Sequence, residues 1–147
     1  ESATAALISR TREKAASEGE NTLLEIYDAP PGSSCPLIEA VKEADCVLLV
    51  GEPSPFGLHD MDLVVKTLKQ MQIPFGVVIN KAVKGNTLIQ DYCSENDIPV
   101  WGEILQNMSI ARAYARGELV SESFPELKAP FRELLDRLIA ESERVRP

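Results

Sequence analysis

The sequence predicts an α/β fold with a mostly parallel sheet flanked by helices. Short apolar runs alternate with helical patterns along the whole chain, which is the order of a parallel α/β sandwich. One run, Cys46-Val47-Leu48-Leu49-Val50, is apolar at every position, as a strand covered on both faces by helices would be. Three such runs end in polar residues, Asp28, Glu52 and Asn80, and parallel α/β proteins bind ligands at the carboxyl ends of their strands.

Taken in order, a polar helix is expected over about residues 3–16, broken by Gly19. Leu23-Leu24-Glu25-Ile26-Tyr27 reads as a strand ending at Asp28. The following Asp28-Ala29-Pro30-Pro31-Gly32-Ser33-Ser34-Cys35-Pro36 must be a rigid loop, because its prolines remove donors and Gly32 permits unusual dihedrals. Pro36 suits a first helical position, so a short helix is placed from there to about Ala44, before the strand Cys46–Val50. The loop 51–57 leads to a helix over about Leu58–Gln72, with Asp60 and Asp62 in its first turn, where the macrodipole favours acids. Its core stripe is Leu58, Met61, Val64, Val65, Leu68 and Met71, spaced by three and four. A third strand is placed over Pro74–Ile79, running into Asn80-Lys81, and a fourth over Ile98–Trp101. Helices are expected over about Thr87–Asn96, Ser109–Arg116 and Pro125–Arg144. There is no internal repeat.

Composition removes several classes of function. The 147 residues fit one domain with a sizeable core. With 23 acidic and 15 basic residues the net charge is −8, which repels phosphate backbones and anionic lipid, so neither a nucleic-acid nor a membrane-surface partner is expected. The longest apolar run, Cys46 to Gly51, is far short of the roughly 20 residues of a membrane span. Three widely spaced cysteines form neither a disulfide framework nor a zinc pattern, and a reducing cytoplasm is the expected location. The first residue is Glu1, not Met, and the chain is expected to be a piece of a longer protein.

An apolar strand ending in Asp and followed within a few residues by Gly is how P-loop nucleoside triphosphatases set a carboxylate on the Mg²⁺ water shell and a backbone N–H near the terminal phosphate. The phrase Asp28 to Pro36 resembles the switch loop of the MinD-like ATPases, in particular the group with an inserted ferredoxin domain. Relatives of that group include the nitrogenase iron protein, the nickel-insertion ATPase CooC and the Mrp-type iron–sulfur carriers. The resemblance continues through Glu52-Pro53-Ser54-Pro55-Phe56-Gly57-Leu58-His59-Asp60 and Ile73-Pro74-Phe75-Gly76-Val77-Val78-Ile79-Asn80-Lys81. It reaches Ile98-Pro99-Val100-Trp101-Gly102-Glu103-Ile104 and Ile110-Ala111-Arg112-Ala113-Tyr114-Ala115-Arg116-Gly117, and so covers about residues 1–120 in order.

The resemblance implies that Asp28 is the Walker B carboxylate, holding Mg²⁺ through water, and that Gly32 is the switch glycine that senses the γ-phosphate. It places Pro31, Glu52, Asn80 and Lys81 around the nucleotide, with Asn80 bonding the adenine edge. The chain departs from the pattern after Ile104, where Leu105-Gln106-Asn107 replaces the usual Pro and Asp, and at Glu25, a charge in a covered strand. The larger departure is the phosphate loop: none of the eight glycines is followed by lysine, and no C-x-x-C occurs. Both the Walker A loop and the ferredoxin cysteines are therefore expected upstream of Glu1.

Other reactive residues have plainer readings beside the functional ones. Cys35 lies at a position similar to that at which the nitrogenase iron protein presents a cluster-ligating thiolate, and a helix N-terminus favours a thiolate; equally it could be a small residue packed under the switch loop. Cys46 and Cys93 read as core, His59 as helix-start packing, and Trp101 as core. Acidic and basic residues from Glu133 to Arg146 read as a solvated helix face with pairs such as Glu133 and Arg137.

These readings together describe residues 1–120 as the C-terminal part of a MinD-like nucleotide-binding domain and residues 121–147 as an amphipathic helix packed on it. The longer protein would be an ATP-hydrolysing dimerisation switch linked to iron–sulfur or metal-cluster chemistry. It would use ATP and Mg²⁺, carry clusters in its upstream insert, and act as a homo-oligomer on a metalloprotein partner. The piece alone would be inactive, and its sheet edges would pair between copies or close up. Two other functions stay open: a nucleotide-independent binding module on the same fold, and an amide ligase of the cobyrinic acid a,c-diamide synthase type. The ligase needs a downstream Cys and His pair, for which a single histidine, His59, is poor material.

Overall fold

The computed structural model describes residues 3–18, 24–30, 32 and 35–145. Its elements are α1 (Ala3–Glu18), α2 (Cys35–Val41), β1 (Val47–Gly51), α3 (Pro55–Met71), β2 (Phe75–Ala82), α4 (Leu88–Glu95), β3 (Val100–Leu105), α5 (Met108–Ala115), α6 (Val120–Ser123), a 3-10 turn (Pro125–Leu127) and α7 (Lys128–Val145). The three strands form one sheet in the order β1-β2-β3, joined by helical crossovers, and it is parallel, as the alternation of strands and helices predicts.

Strand β2 is the centre of the molecule. Val77, Val78 and Ile79 are all but inaccessible to water, and alternation along the strand sends Val77 and Ile79 to one face and Gly76 and Val78 to the other. On the first face they meet Met61 and Val65 of α3 and Ile89 and Cys93 of α4. On the second, the indole of Trp101 lies so close over Gly76 that a methyl group there would fall 2.1 Å from the ring. Leu134 of α7 reaches Gly102 of β3 on its side, at 3.5 Å from where a Cβ would stand. A second cluster joins Leu37 and Val41 of α2 to Val64 and Leu68 of α3. Burial of each such aliphatic side chain is worth about 1.5–3 kcal/mol, so the β2 sandwich and the α3 stripe dominate the stability of the fold.

Helix α3 begins three residues before its predicted start. Ser54 has extended backbone and its hydroxyl accepts the Gly57 N–H at 3.0 Å, while Pro55 supplies the preset φ of a first turn. Asp60 and Asp62 consequently lie beyond the first turn, and Asp62 instead accepts from Lys66 (2.6 Å) and from the Tyr92 hydroxyl (2.9 Å). The helix ends where Gln72 turns left-handed at φ 57°. Helix α2 starts at Cys35 and stops at Val41, sooner than predicted, and β3 begins at Val100 and runs on to Leu105. Helix α6 was not expected. In α7 the ion pair joins Arg144 to Glu141 rather than Arg137 to Glu133.

The predicted strand ending at Asp28 is absent from the sheet. Residues 24–30 carry no regular structure, with Leu24, Ile26 and Tyr27 at 37%, 75% and 38% exposure. A strand exists only by pairing, and no described strand lies beside this segment; the outer edge of β1, where Val50 is 57% exposed, is likewise unpaired among the described residues. Glu25, out of place in a covered strand, here accepts the Tyr27 hydroxyl at 2.6 Å.

Helix α1 is fastened to α2 by polar groups. Ser9 donates to Glu39 (2.8 Å), and Arg12 donates to the Ala40 carbonyl (2.8 Å) at the end of α2, where a cation also complements the helix dipole. The same guanidinium lies 5.3 Å over the Tyr27 ring and 3.4 Å from Glu43.

Candidate functional site

The carboxyl ends of the three strands meet along one edge of the sheet, and backbone chemistry fixes their relative positions. In the β1–α3 loop, the Ser54 N–H donates to the Glu52 carbonyl at 2.8 Å. Gly57 packs directly on that carbonyl: a Cβ there would stand 2.6 Å from the Glu52 oxygen, so only glycine fits. Asn86, after β2, donates to the Pro53 carbonyl (2.9 Å) and accepts the Leu88 N–H (3.1 Å), tying the β2–α4 loop to the β1–α3 loop. At the end of β3, the Gln106 N–H donates to the Ala82 carbonyl at 2.9 Å.

Within this frame three of the sequence-predicted residues come together. β2 does not stop at Ile79 but continues through Asn80 and Lys81 to Ala82. Lys81 adopts the left-handed region (φ 54°), which shifts the register between Asn80 and Ala82 and lets Ala82 still pair with Leu105. Its Nζ lies 2.5 Å from the Glu52 carboxylate, bridging the ends of β1 and β2. The two side chains are 58% and 49% exposed, so the bridge is worth at most about 1 kcal/mol and is readily exchanged for a ligand contact. Asn80 is half-buried, and its Oδ1 accepts the Lys81 N–H at 3.0 Å.

The others lie apart. Asp28 is exposed in the segment without regular structure, and Gly32 is exposed with φ 89°, a conformation that favours glycine for its backbone, since an added Cβ would meet nothing within 4 Å. Pro31 lies outside the described residues. Cys35 opens α2 as an exposed free thiol. No hydrogen bond or ion pair joins Asp28, Gly32 or Cys35 to the Glu52–Lys81 group among the described residues. His59 is exposed on the first turns of α3 rather than packed there. Cys93 is buried, and burial raises its pKa; Cys46 is half-buried, with its thiol pushed up to about 11 by desolvation first and the Glu141 charge second. Among the described residues, no group of three or more His, Cys, Asp or Glu side chains is placed to hold a metal.

Two clefts have linings that include none of Glu52, Asn80 and Lys81. One, about 340 Å³, is lined by Ser9, Arg12, Glu25, Tyr27, Glu39 and Glu43; the other, about 350 Å³, by Ser109, Arg112, Arg116, Glu118, Ser123 and Phe124. Two of their acids have partners already: Lys42, outside the cleft, and Ser9 hold the Glu39 carboxyl below its usual range, and Arg116 and Ser123 do the same for Glu118.

The positioning residues Ser54, Gly57, Asn86 and Gln106 were missed by sequence reasoning. Ser54-Pro55 carries a local signal, a capping hydroxyl before a first-turn proline. Asn86 carries a local signal only for its bond from the Leu88 N–H at the start of α4; its bond to Pro53 and the bond of Gln106 to Ala82 carry none, because those partners lie far away in sequence.

No family model matches the chain. Two uncharacterized proteins of Methanocaldococcus jannaschii are similar to it: one is 33% identical over 78 residues (53% of this chain and 28% of that protein), the other 28% identical over 116 residues (78% and 39%). The chain thus spans well under half the length of these relatives. Among solved structures, the MinD cell division protein of Aquifex aeolicus superposes with a TM-score of 0.66 over 96% of this chain and 60% of that one, at 21% identity. The chain therefore has a fold similar to that of MinD, a three-stranded parallel sheet flanked by helices, in a sequence in which no glycine is followed by lysine.

Proposed function

We propose that this chain is the switch-side and base-side part of a MinD-like ATPase whose phosphate-gripping half precedes it. The observation that carries the reading is the meeting of Glu52, Asn80 and Lys81 at the carboxyl ends of parallel strands, in a fold that superposes on MinD. Asp28 is the carboxylate that would hold Mg²⁺ through water, and Gly32, with its left-handed backbone, is the glycine whose N–H turns toward or away from a terminal phosphate. Asn80, Lys81, Glu52 and Pro31 would surround the nucleotide. Bound ATP with Mg²⁺ would supply the phosphoanhydride whose hydrolysis resets the switch. Glu52, Asn80 and Lys81 at the strand ends support the base side of such a site, while Asp28 and Gly32 lie apart from them and would have to be brought in; nothing in this sequence supplies the nest of N–H donors that phosphates need.

The same reading makes the longer protein a homodimeric switch that closes with ATP and relaxes after hydrolysis, acting in the cytoplasm on an iron–sulfur or metalloprotein partner. The iron–sulfur link rests on the sequence resemblance, with clusters in the upstream insert, and Cys35 is the exposed thiol of this chain that could face a cluster across the dimer. Asp28→Asn in the full-length protein tests the assignment. ATP turnover should be abolished while nucleotide still binds, and unchanged turnover would refute the role of Asp28.

A further inference from the structure

We propose that the cleft of about 350 Å³ lined by α5 and α6 binds a small carboxylic acid through Arg112. One wall is a single face of α5: Ser109, Arg112, Ala113 and Arg116 recur at intervals of three and four residues, and Ala113 is buried beneath the longer side chains. The facing wall is set by the way the helix ends. Gly117 turns left-handed (φ 75°), its N–H donates to the Tyr114 carbonyl at 2.9 Å, and the Glu118 N–H donates to the Ala113 carbonyl at 3.1 Å, the pairing that folds a chain back over the helix it leaves. Glu118 is thereby returned to Arg116, whose Nε–H it accepts at 2.5 Å, while its other oxygen accepts the Ser123 hydroxyl at 3.1 Å.

What this leaves unspent defines the ligand. Glu118 offsets the charge of Arg116 but takes only its Nε–H, so the terminal N–H groups of Arg116 have no partner among the described residues. The Arg112 guanidinium has none there either, nor has the Ser109 hydroxyl, since the bond of Ser109 to Asn107 is made by its main chain. One uncompensated cation suits one negative charge, and in a chain of net charge −8 a dianion would bring a second that nothing in the cleft meets. A carboxylate fits: its two oxygens match the fork of Arg112, and their remaining lone pairs are free for the Ser109 hydroxyl and an Arg116 N–H. The half-buried Phe124 gives an apolar wall to the body of the acid, and the volume lies at the small end of ligand sites, about 300–1,000 Å³. The other cleft lacks a spare cation, for Arg12 stands there among Glu13, Glu25, Glu39 and Glu43 and is already bound to the Ala40 carbonyl.

The test is nuclear magnetic resonance titration of the full-length protein carrying this sequence, following the arginine Nε–H signals. The probes are benzoate, its neutral counterpart benzamide, inorganic phosphate, and N-acetylphenylalanine, which carries the carboxylate of a peptide end. Benzoate should saturate one arginine signal, missing from Arg112→Lys, and should bind about tenfold more tightly than benzamide or phosphate, the worth of a charge-assisted bond. Arg112→Lys keeps the charge on an exposed helix face and should weaken benzoate about tenfold, because an ammonium has no fork. Glu118→Gln releases the charge of Arg116 and should move the preference toward phosphate. Tighter binding of N-acetylphenylalanine than of benzoate would support the site with a peptide end as the source of the carboxylate, and the reverse order would support it with a free acid. Equal binding of benzoate and benzamide, a preference for phosphate in the unaltered protein, benzoate binding unchanged by Arg112→Lys, or failure of both carboxylates to saturate would overturn the proposal.

Discussion

Gly57 sets the position of Glu52, and Gly57→Ala measures how firmly. Gly57 lies in the first turn of α3, where replacing glycine by alanine in a helix ordinarily stabilises by about 1 kcal/mol. Here the new Cβ would stand 2.6 Å from the Glu52 carbonyl oxygen and 3.1 Å from the Ser54 hydroxyl. The hydroxyl can rotate away, at the loss of its bond to the Gly57 N–H, a cap worth about 1 kcal/mol. The carbonyl cannot, because it is main chain and already accepts from Ser54 N–H at 2.8 Å. Forcing the loop apart falls in the overpacking range of about 1–3 kcal/mol. The clash and the lost cap together exceed the propensity gain, and we expect a net loss of about 2 kcal/mol, lowering Tm by roughly 4–8 °C in a chain of this size. Urea unfolding followed by circular dichroism gives the value, with Ser54→Ala, expected to cost about 1 kcal/mol, as the control for the cap alone. A Gly57→Ala protein more stable than the parent would show that the Glu52 carbonyl yields freely and that the loop is not held as described.

Gly76→Ala should be worse, since its Cβ would overlap the Trp101 ring at 2.1 Å, and we expect a loss of about 3 kcal/mol. In the Trp101→Ala background the same change should cost much less, and strictly additive losses in a double-mutant cycle would refute the contact. Alkaline stability should reflect Cys46: its folded pKa of about 11 lies above the ordinary 9.0, so the folded state keeps the proton longer and stability falls as pH rises through that interval. Tyr92, raised by burial first and then by its bond to Asp62, acts in the same sense, so the Cys46 share is read as the part of the slope that Cys46→Ser removes; no change on substitution would count against the burial of this thiol.

The helices and the sheet were legible because apolar periodicity reports which face is buried, and the α3 stripe of Met61, Val64, Val65 and Leu68 is buried as its spacing requires. The same signal failed at Leu24-Glu25-Ile26-Tyr27, because β pattern records a preference for burial and cannot record whether a neighbouring strand is there to pair with. The end of β2 was misjudged for a different reason. Lysine at positive φ is uncommon, so nothing in Asn80-Lys81 announces a bulge that carries the ladder on from Ile79 to Ala82. Of the site, Glu52, Asn80 and Lys81 were legible as polar residues at strand ends, but the bridge between Glu52 and Lys81 was not, since the two meet through the packing of β1 on β2 and through Asn86 on Pro53. The bond from the Lys81 N–H to the Asn80 oxygen, formed at a left-handed residue, has no sequence signature.

Helix α1 is joined to α2 through Ser9 and Arg12, while its Leu7 stays 65% exposed. Contacts of this kind suffice because the connecting chain keeps the two helices at a millimolar effective concentration of one another. Residues 24–29, which lie in that connection, are exposed and without regular structure, the kind of segment that proteases enter. A single cut there would turn an intramolecular contact into a bimolecular one, and at micromolar protein α1 would come away while the sheet and its helices stayed folded. The attachment of α1 is in this sense a property of the covalent chain more than of the surface it touches, and limited digestion would separate the two.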